Sequence, residues 1–436
     1  MQDNPAVELE TGDEYPSGAS MGHVRWTICA LIFTATTINY MDRQVIGLLK
    51  PTIQQSIGMT EVDYGYVVAA FQVAYALGLL AAGRFVDKVG TRIGYMVIMA
   101  IWSVSAMGHA LANTVMEFAV ARFSLGIGES GNFPAAIKTV AEWFPQKERS
   151  LATGIFNSGT NVGAILAPIA VPWVALHYGW HMAFLITGAF SASWIVLWFF
   201  YYRPPAEYAK LSKAELAYIN EGAAVEEIKP GTPWIKLLAF RQTWAFTLGK
   251  FLTDPIWWFY LFWLPSYFTS KFHLTLENLW LPLFVVYNAS TVGSIFGGWL
   301  PTPFRKMGMA APKARLLAML FCACLVTPIF MVNFAPSEWA AIGFFSLAAA
   351  AHQGWSANLF TTTSDMFPRS EVGSVTGIGG MAGSVGGTLL ALLAGYLLGR
   401  THSYAILIAI AASAYLVALA IIVALAPGLK KVEIAA

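Results

Sequence analysis

The chain has 436 residues, of which 57% are hydrophobic and only 11% charged, and its mean hydropathy is +0.59. A water-soluble domain of this length needs far more surface charge, and a net charge of +2 gives no reason to expect a polyanionic partner such as nucleic acid. The first 22 residues are polar and acidic (Asp3, Glu8, Glu10, Asp13, Glu14) with no apolar core, so no signal peptide is expected and residues 1–24 read as a disordered tail. Twelve apolar stretches follow, about 26–49, 63–86, 93–112, 116–143, 150–174, 182–202, 243–268, 279–300, 314–332, 339–365, 372–398 and 404–426. Most are 18 residues or longer, the length that crosses a bilayer. The predicted fold is an all-α membrane protein of twelve spans, with an N-terminal six-helix bundle over 25–202, a linker over 203–241, a C-terminal six-helix bundle over 242–428 and a tail over 429–436. With the N-terminus inside, the inside segments hold 19 of the 26 Lys and Arg and the outside loops hold three, Lys50, Lys271 and Arg400. That asymmetry puts both termini in the cytoplasm.

Span 1 carries Asp42 and Arg43 side by side, and span 4 carries Arg122 seven residues before Glu129. Seven residues make two turns, so Arg122 and Glu129 share a face about 10 Å apart. A charge at bilayer depth costs roughly 3 kcal/mol even on the forgiving insertion scale. Four of them need a function, and the usual one is a transported ion with a transported ligand; the structural alternative is two ion pairs holding the bundle. Span 2 places Gln72 and Tyr75 on one face, and span 5 places Asn157, Thr160 and Asn161 on one face. With Tyr40 these are candidates to bind ligand hydroxyls, or else to bridge helices. In span 7, Lys250 and Asp254 are four apart and can pair directly, as a structural pair or a gate. Gly126-Ile127-Gly128-Glu129-Ser130-Gly131 fits G-x-G-x-x-G, but mid-span it lacks the strand that a dinucleotide fingerprint requires. Its glycines are expected to permit tight helix packing and to leave room for a ligand. Cys29, Cys322 and Cys324 fall inside spans as small apolar residues, and Cys-Ala-Cys is not a zinc spacing. No metal and no cofactor are expected.

The chain also repeats. F-P-Q-K-E-R-S-L-A-T-G from Phe144 and F-P-R-S-E-V-G-S-V-T-G from Phe367 share Phe, Pro, Glu, Thr and Gly, and Gly163 matches Gly386 at the same 223-residue offset. Parallel six-helix repeats place a substrate site between them near the midplane. If the register holds without a gap, His352 is the counterpart of Glu129 and faces the same cavity, beside Gln353 and Ser356.

The loop G-R-F-V-D-K-V-G-T-R, from Gly83 to Arg92, resembles the signature loop of the major facilitator superfamily, G-x-x-x-D-[RK]-x-G-[RK]-[RK]. It stands between spans 2 and 3, as the resemblance requires. Gly83 would permit close helix contact, and Asp87 would cap or pair with basic groups on that face. The matching loop of the second half, from Gly298 through Arg305, Lys306 and Gly308, lacks the acid. Within the superfamily, N-Y-M-D-R in span 1, R-x-x-x-G-x-G-E in span 4 and E-W-F-P-x-x-E-R from Glu142 to Arg149 resemble the anion:cation symporter family. Span 10, A-H-Q-G-W-S followed by T-T-S-D-M-F-P-R-S-E-V, resembles its bacterial hexuronate branch. Sugar-acid members often place an asparagine in span 11 facing the ligand; here the region reads Gly379-Gly380-Met381-Ala382-Gly383-Ser384, leaving Ser384 as the polar substitute.

The expected activity is symport of a sugar-acid anion, glucuronate or galacturonate, with protons, by alternating access in a bacterial inner membrane and as a monomer. Arginine suits the carboxylate because its planar fork can bind both oxygens, so Arg43 and Arg122 are the anchor candidates. Asp42 and Glu129 are the proton carriers: desolvation favours a protonated carboxyl, a nearby arginine favours the ionised one, and a ligand that takes the arginine tips the balance. Glu129 is the acid coupled to substrate, and Asp42 a second proton site or a latch. One rival reading is a facilitator or exchanger of another organic anion without proton coupling. Another, an integral-membrane enzyme, finds no metal cluster and no nucleophile with a base.

Overall fold

The computed structural model describes residues 22–209, 211–220 and 233–432. Most of the expected N-terminal tail, the middle of the linker and the last four residues lie outside these. Twelve long helical stretches correspond to the twelve expected spans: Val24–Ile57, Glu61–Val89, Thr91–Gly108, Val115–Ser130 continued by Asn132–Trp143, Gln146–Tyr178, Trp180–Tyr201, Arg241–Phe272, Trp280–Trp299, Ala311–Val326 continued by the 3-10 segment Thr327–Phe334, Glu338–Met366, Arg369–Thr401 and Ala405–Leu425. By length and hydropathy alone eight of these stretches qualify as membrane-crossing. Spans 1, 4, 7 and 10 do not. Span 4 is broken at Gly131, and the other three carry polar and charged groups in their buried faces.

Local chemistry sets the boundaries. Thr60 and Asp63 form a capping box that starts span 2, and Thr114 and Glu117 form another that starts span 4, satisfying amides that would otherwise end unpaired. The tight turns from span 2 to 3 and from span 5 to 6 run through Gly90 and Gly179 at φ of +86° and +85°, which only glycine adopts freely.

The 223-residue period is written into the helix ends. Glu338–Met366 reproduces the limits of span 4, and Arg369–Thr401 reproduces those of Gln146–Tyr178. The caps Thr114 and Ser337 correspond, as do Pro145 and Pro368 before the next helices. Equivalent acids do equivalent work: Glu142 accepts from Thr91 at 2.6 Å and from Tyr202, while Asp365 pairs with Arg315 at 2.5 Å. Each ties the end of its helix to neighbouring elements of its own half.

The halves meet along spans 2 and 11, 5 and 8, and 1 and 7. At the face away from the termini, which we call the far face, the fit is tight. A Cβ placed on Gly65 would stand 2.8 Å from the Ala391 carbonyl and 3.0 Å from Gly395 Cα. One on Gly47 would stand 2.9 Å from the Leu261 carbonyl. Such small-residue contacts let helix backbones approach closely in a bilayer. The Tyr64 hydroxyl adds a hydrogen bond across the interface to the Phe262 carbonyl at 2.9 Å. Toward the terminal face, spans 2 and 11 splay. A Cβ on Gly387 would still meet the Gln72 side chain at 3.2 Å, one on Gly380 would come no nearer than 4.0 Å to Leu79, and one on Gly83 would meet nothing within 4 Å. The close contact expected at Gly83 is therefore not made in this conformation, because its helix end has parted from span 11.

Candidate functional site

The splay encloses a cavity of about 500 Å³ between the halves. Tyr40 and Arg43 of span 1, Tyr75 of span 2, and Asn157 and Thr160 of span 5 line one side. Lys250, Asp254, Trp257 and Trp258 of span 7, His352, Gln353 and Ser356 of span 10, and Ser384 of span 11 line the other. It reaches toward the terminal face past Ile137, Trp234 and Gly377.

Arg43 is the centre of the first half's wall. Its Nε donates to Glu129 Oε2 at 2.8 Å and its Nη2 to Asn39 Oδ1 at 3.2 Å, while Nη1 makes no hydrogen bond among the described residues. Asn39 is one turn before Arg43, a spacing the sequence displayed. Four rings surround the guanidinium: Tyr75 at 4.8 Å, Tyr40 and Trp258 at 4.9 Å and Phe71 at 5.3 Å from Cζ to centroid. The aromatic faces stabilise the cation where water is excluded. Glu129 is fully buried with Oε1 unpartnered; it reaches the cavity only through Arg43 and does not line the wall itself.

The other expected charges lie elsewhere. Asp42 turns away from the cavity into the first half, where Oδ2 accepts from Trp102 Nε1 at 2.7 Å and Ser191 Oγ at 2.5 Å. Consecutive helical residues point about 100° apart, so Asp42 and Arg43 serve different places. Arg122 also lies off the cavity. The Phe71 ring contacts both guanidiniums, its centroid 4.6 Å from Arg122 Cζ and 5.3 Å from Arg43 Cζ, and Nη2 of Arg122 donates to the Arg43 carbonyl at 3.4 Å. Among the described residues its Nε and Nη1 have no hydrogen-bond partner. Glu129 therefore pairs with Arg43 of another helix rather than with Arg122 of its own.

Three further expectations are corrected. Gln72 does not reach the cavity; it is wedged against Gly387 at the crossing of spans 2 and 11, one turn beyond Tyr75, where the cavity ends. Asn161 is off the wall that Asn157 and Thr160 help to form. The glycines of the span 4 run make room for helices rather than ligand: Gly126 packs on the Phe71 carbonyl, Gly128 on the Trp102 backbone and Gly131 on Ile98. In the signature loop, Asp87 pairs with Lys138 at 3.0 Å, and Arg92 donates to the Phe199 carbonyl at 3.0 Å.

His352 does line the cavity. It lies flat against Trp257, with centroids 5.2 Å apart and planes 2° apart, and its Nδ1 is 2.6 Å from the Tyr415 hydroxyl. A second correspondence explains this. A Cβ on Gly163 would meet the Thr37 carbonyl at 2.3 Å, and one on Gly386 would meet the Phe251 carbonyl at the same distance. Span 1 thus maps onto span 7 with an offset of 214, which makes Trp257 the counterpart of Arg43. The pair Arg43–Glu129 in one half is replaced by the stack Trp257–His352 in the other. Sequence reasoning missed Trp257 because the two offsets differ by nine residues.

The fold and the sequence both have relatives. Residues 32–391 match the model of the Major Facilitator Superfamily. A hexuronate transporter of Escherichia coli K12 is 32% identical over 386 residues, covering 86% of this chain and 88% of that protein. A galacturonate transporter of Dickeya chrysanthemi is 34% identical over 291 residues, covering 65% and 83%. Among solved structures, a D-xylose–proton symporter superposes with a TM-score of 0.75 at 13% identity, over 94% of this chain and 99% of that one. A bacterial homologue of the human lysosomal transporter Spinster, in an inward-facing unoccupied conformation, gives 0.67 at 19% identity, over 94% and 97%. The chain is a multi-pass membrane transporter, not an enzyme, and belongs to the major facilitator superfamily.

Proposed function

We propose that this protein carries a hexuronate such as glucuronate or galacturonate across the bacterial inner membrane together with protons, by alternating access. The observation that carries this reading is the Arg43–Glu129 pair behind the wall of a cavity that both halves share. A uronate brings one carboxylate and several hydroxyls. Among the described residues, Arg43 is the cation that lines the first half's wall, and its Nη1 makes no hydrogen bond to them. A ligand carboxylate that takes the guanidinium competes with Glu129. Once released in a water-poor site, Glu129 is stabilised by a proton, because an unpaired buried carboxylate is costly. Loading the anion therefore favours loading a proton. Tyr40, Tyr75, Asn157, Thr160, His352, Gln353, Ser356 and Ser384 supply donors and acceptors for the hydroxyls. Asp42, gripped by Trp102 and Ser191, acts as a latch between span 1 and spans 3 and 6. The transporters named for hexuronate and galacturonate among the relatives support the substrate class.

The excess of Lys and Arg in segments on the terminal face puts that face in the cytoplasm. The conformation described is then one open inward and sealed outward, in a protein that works as a monomer.

The test uses purified protein in liposomes. Glucuronate or galacturonate should accumulate under an inward proton gradient. Glu129→Gln, which mimics the protonated acid, should still bind and exchange the sugar acid but should not accumulate it. Gradient-driven accumulation at wild-type level by Glu129→Gln would remove the coupling role. Uptake by the wild-type protein that ignores the gradient would favour the facilitator reading.

A further inference from the structure

The guanidiniums of Arg43 and Arg122 belong to the first half, and each lies against a ring of the second. The Trp258 ring is 4.9 Å from Arg43 Cζ, and the Phe262 ring is 5.5 Å from Arg122 Cζ. These two rings sit one turn apart on span 7 and stack, with centroids 6.0 Å apart and planes 9° apart. Trp258 also meets Phe71 and Tyr75 of span 2 edge-on, at 6.3 and 6.1 Å. Phe262 is part of the far-face seal. Its carbonyl accepts from the Tyr64 hydroxyl at 2.9 Å, and a Cβ on Gly47 would lie 3.3 Å from its Cα. Parting spans 1 and 7 at the far face therefore lifts both rings off both guanidiniums. A ring face holds a cation most strongly where water is excluded, and the hold follows the net charge that the ring meets.

We infer that Trp258, backed by Phe262, reads the charge of Arg43 and holds the far face shut when a proton has been loaded without an anion. The inference rests on the coupling role of Glu129 proposed above and names the residues through which that role reaches the seal. With Glu129 ionised, its carboxylate offsets Arg43 from 2.8 Å. With Glu129 protonated and no anion bound, Arg43 loses that counter-charge and meets Trp258 as a bare cation. With a proton on Glu129 and a carboxylate on Arg43, the balance returns to that of the empty protein. The other charged and titratable groups about the pair are Asp42 of span 1 and Arg122 of span 4, with the phenols of Tyr40 and Tyr75. Symport without slip requires that the empty and the fully loaded protein switch and that the protein holding a proton alone does not. The ring contact draws that distinction, because it is strongest in the state that must stay shut. Trp258 and Phe262 are positioning residues here: they act through Arg43.

The test measures the far-face distance between spin labels at the exposed positions Gln55 and Glu277 by pulsed electron resonance, on ligand-free protein without Cys29, Cys322 and Cys324. Glu129→Gln, which stands for the protonated acid, should lower the ratio of open to shut far faces on the order of tenfold. In a Trp258→Leu background the same substitution should leave that ratio unchanged. Trp258→Phe keeps a ring face and should keep a smaller shift. A ring that served only as packing would give the same shift in all three backgrounds. That result, or no shift in the native background, would overturn the inference. Proton leak supplies a second readout that needs no double variant. In liposomes without sugar acid, Trp258→Leu should dissipate an imposed proton gradient faster than the native protein, and decay at the native rate would overturn the role against slip. The two readings fail separately. A Glu129→Gln protein that shifts the distance yet accumulates sugar acid normally would sink the coupling reading. One that loses accumulation but shifts the distance equally with and without Trp258 would sink this inference alone.

Discussion

Gly65→Ala should pry open the far face. The added Cβ would lie 2.8 Å from the Ala391 carbonyl and 3.0 Å from Gly395 Cα, and both are backbone atoms that cannot swing aside. Spans 2 and 11 must separate by several tenths of an ångström, which overpacking data price at about 1–3 kcal/mol. Alanine also favours the helix by about 1 kcal/mol relative to glycine, but that gain is common to both conformations and cancels. The remaining cost falls only on the state sealed at the far face, so its population relative to the opposite state should drop roughly 5- to 150-fold. The opposite state has a ready contact. Gly83 lies eighteen residues beyond Gly65 and Gly377 eighteen residues before Gly395, five full turns in each helix, so both pairs share the same facing surfaces. Gly83→Ala or Gly377→Ala should leave the present state untouched and penalise the other. The assay is a pulsed electron-resonance distance between spin labels at the exposed positions Gln55 and Glu277 on the far face, in a background without Cys29, Cys322 and Cys324. Gly65→Ala should lengthen that distance, and Gly83→Ala should not. An unchanged distance in Gly65→Ala, or the same lengthening in both variants, would refute the reasoning.

Other expectations follow from the cavity. Arg43→Lys keeps the charge but loses the geometry that serves Glu129 and Asn39 together, so sugar-acid affinity should fall by about 1–3 kcal/mol, measured by calorimetry. His352→Ala removes the stack on Trp257 and the Tyr415 hydrogen bond; affinity should weaken by about 0.5–1.5 kcal/mol, and unchanged binding would take His352 out of the site. Asp42→Asn keeps acceptors for Trp102 and Ser191 without the charge. It should leave ligand affinity unchanged, because Asp42 is off the cavity, while altering the rate of exchange in liposomes.

Much of the molecule could be read from residue order. Span count, the 223-residue period and the place of His352 followed from spacing, because caps and prolines recur at the same offset and fix the helix ends. What spacing could not supply was the partner of each buried charge. Arg122 and Glu129 share a face of one helix, yet Glu129 turns to Arg43, which arrives from span 1, and the Phe71 ring packs against both guanidiniums. Helical periodicity tells which way a side chain leaves its own helix, but not which neighbour waits there. The same limit explains Gln72, which shares a face with Tyr75 but sits one turn past the cavity floor. Gly83 was read as a contact and is open here; under the proposed alternating access its contact belongs to the opposite conformation.

Among the described residues, the ion pairs Arg25–Glu148, Arg43–Glu129, Lys50–Glu61, Lys138–Asp87, Lys250–Asp254 and Arg315–Asp365 each join side chains of a single half, and Arg25 also pairs with Glu215 of the linker. At the far face, among the described residues, the halves meet instead through glycine backbones, aromatic rings and the Tyr64 hydroxyl. This division governs the barrier to switching. A salt bridge broken in a membrane exposes two charges at once and has no partial reward on the way, whereas close-packed surfaces part gradually, each contact worth only tenths of a kcal/mol. Each half can carry its electrostatics intact as cargo of a rigid body. The seam between them works like a zip of small weak teeth, stiff enough to hold shut while its teeth are meshed and easy to run from one end to the other.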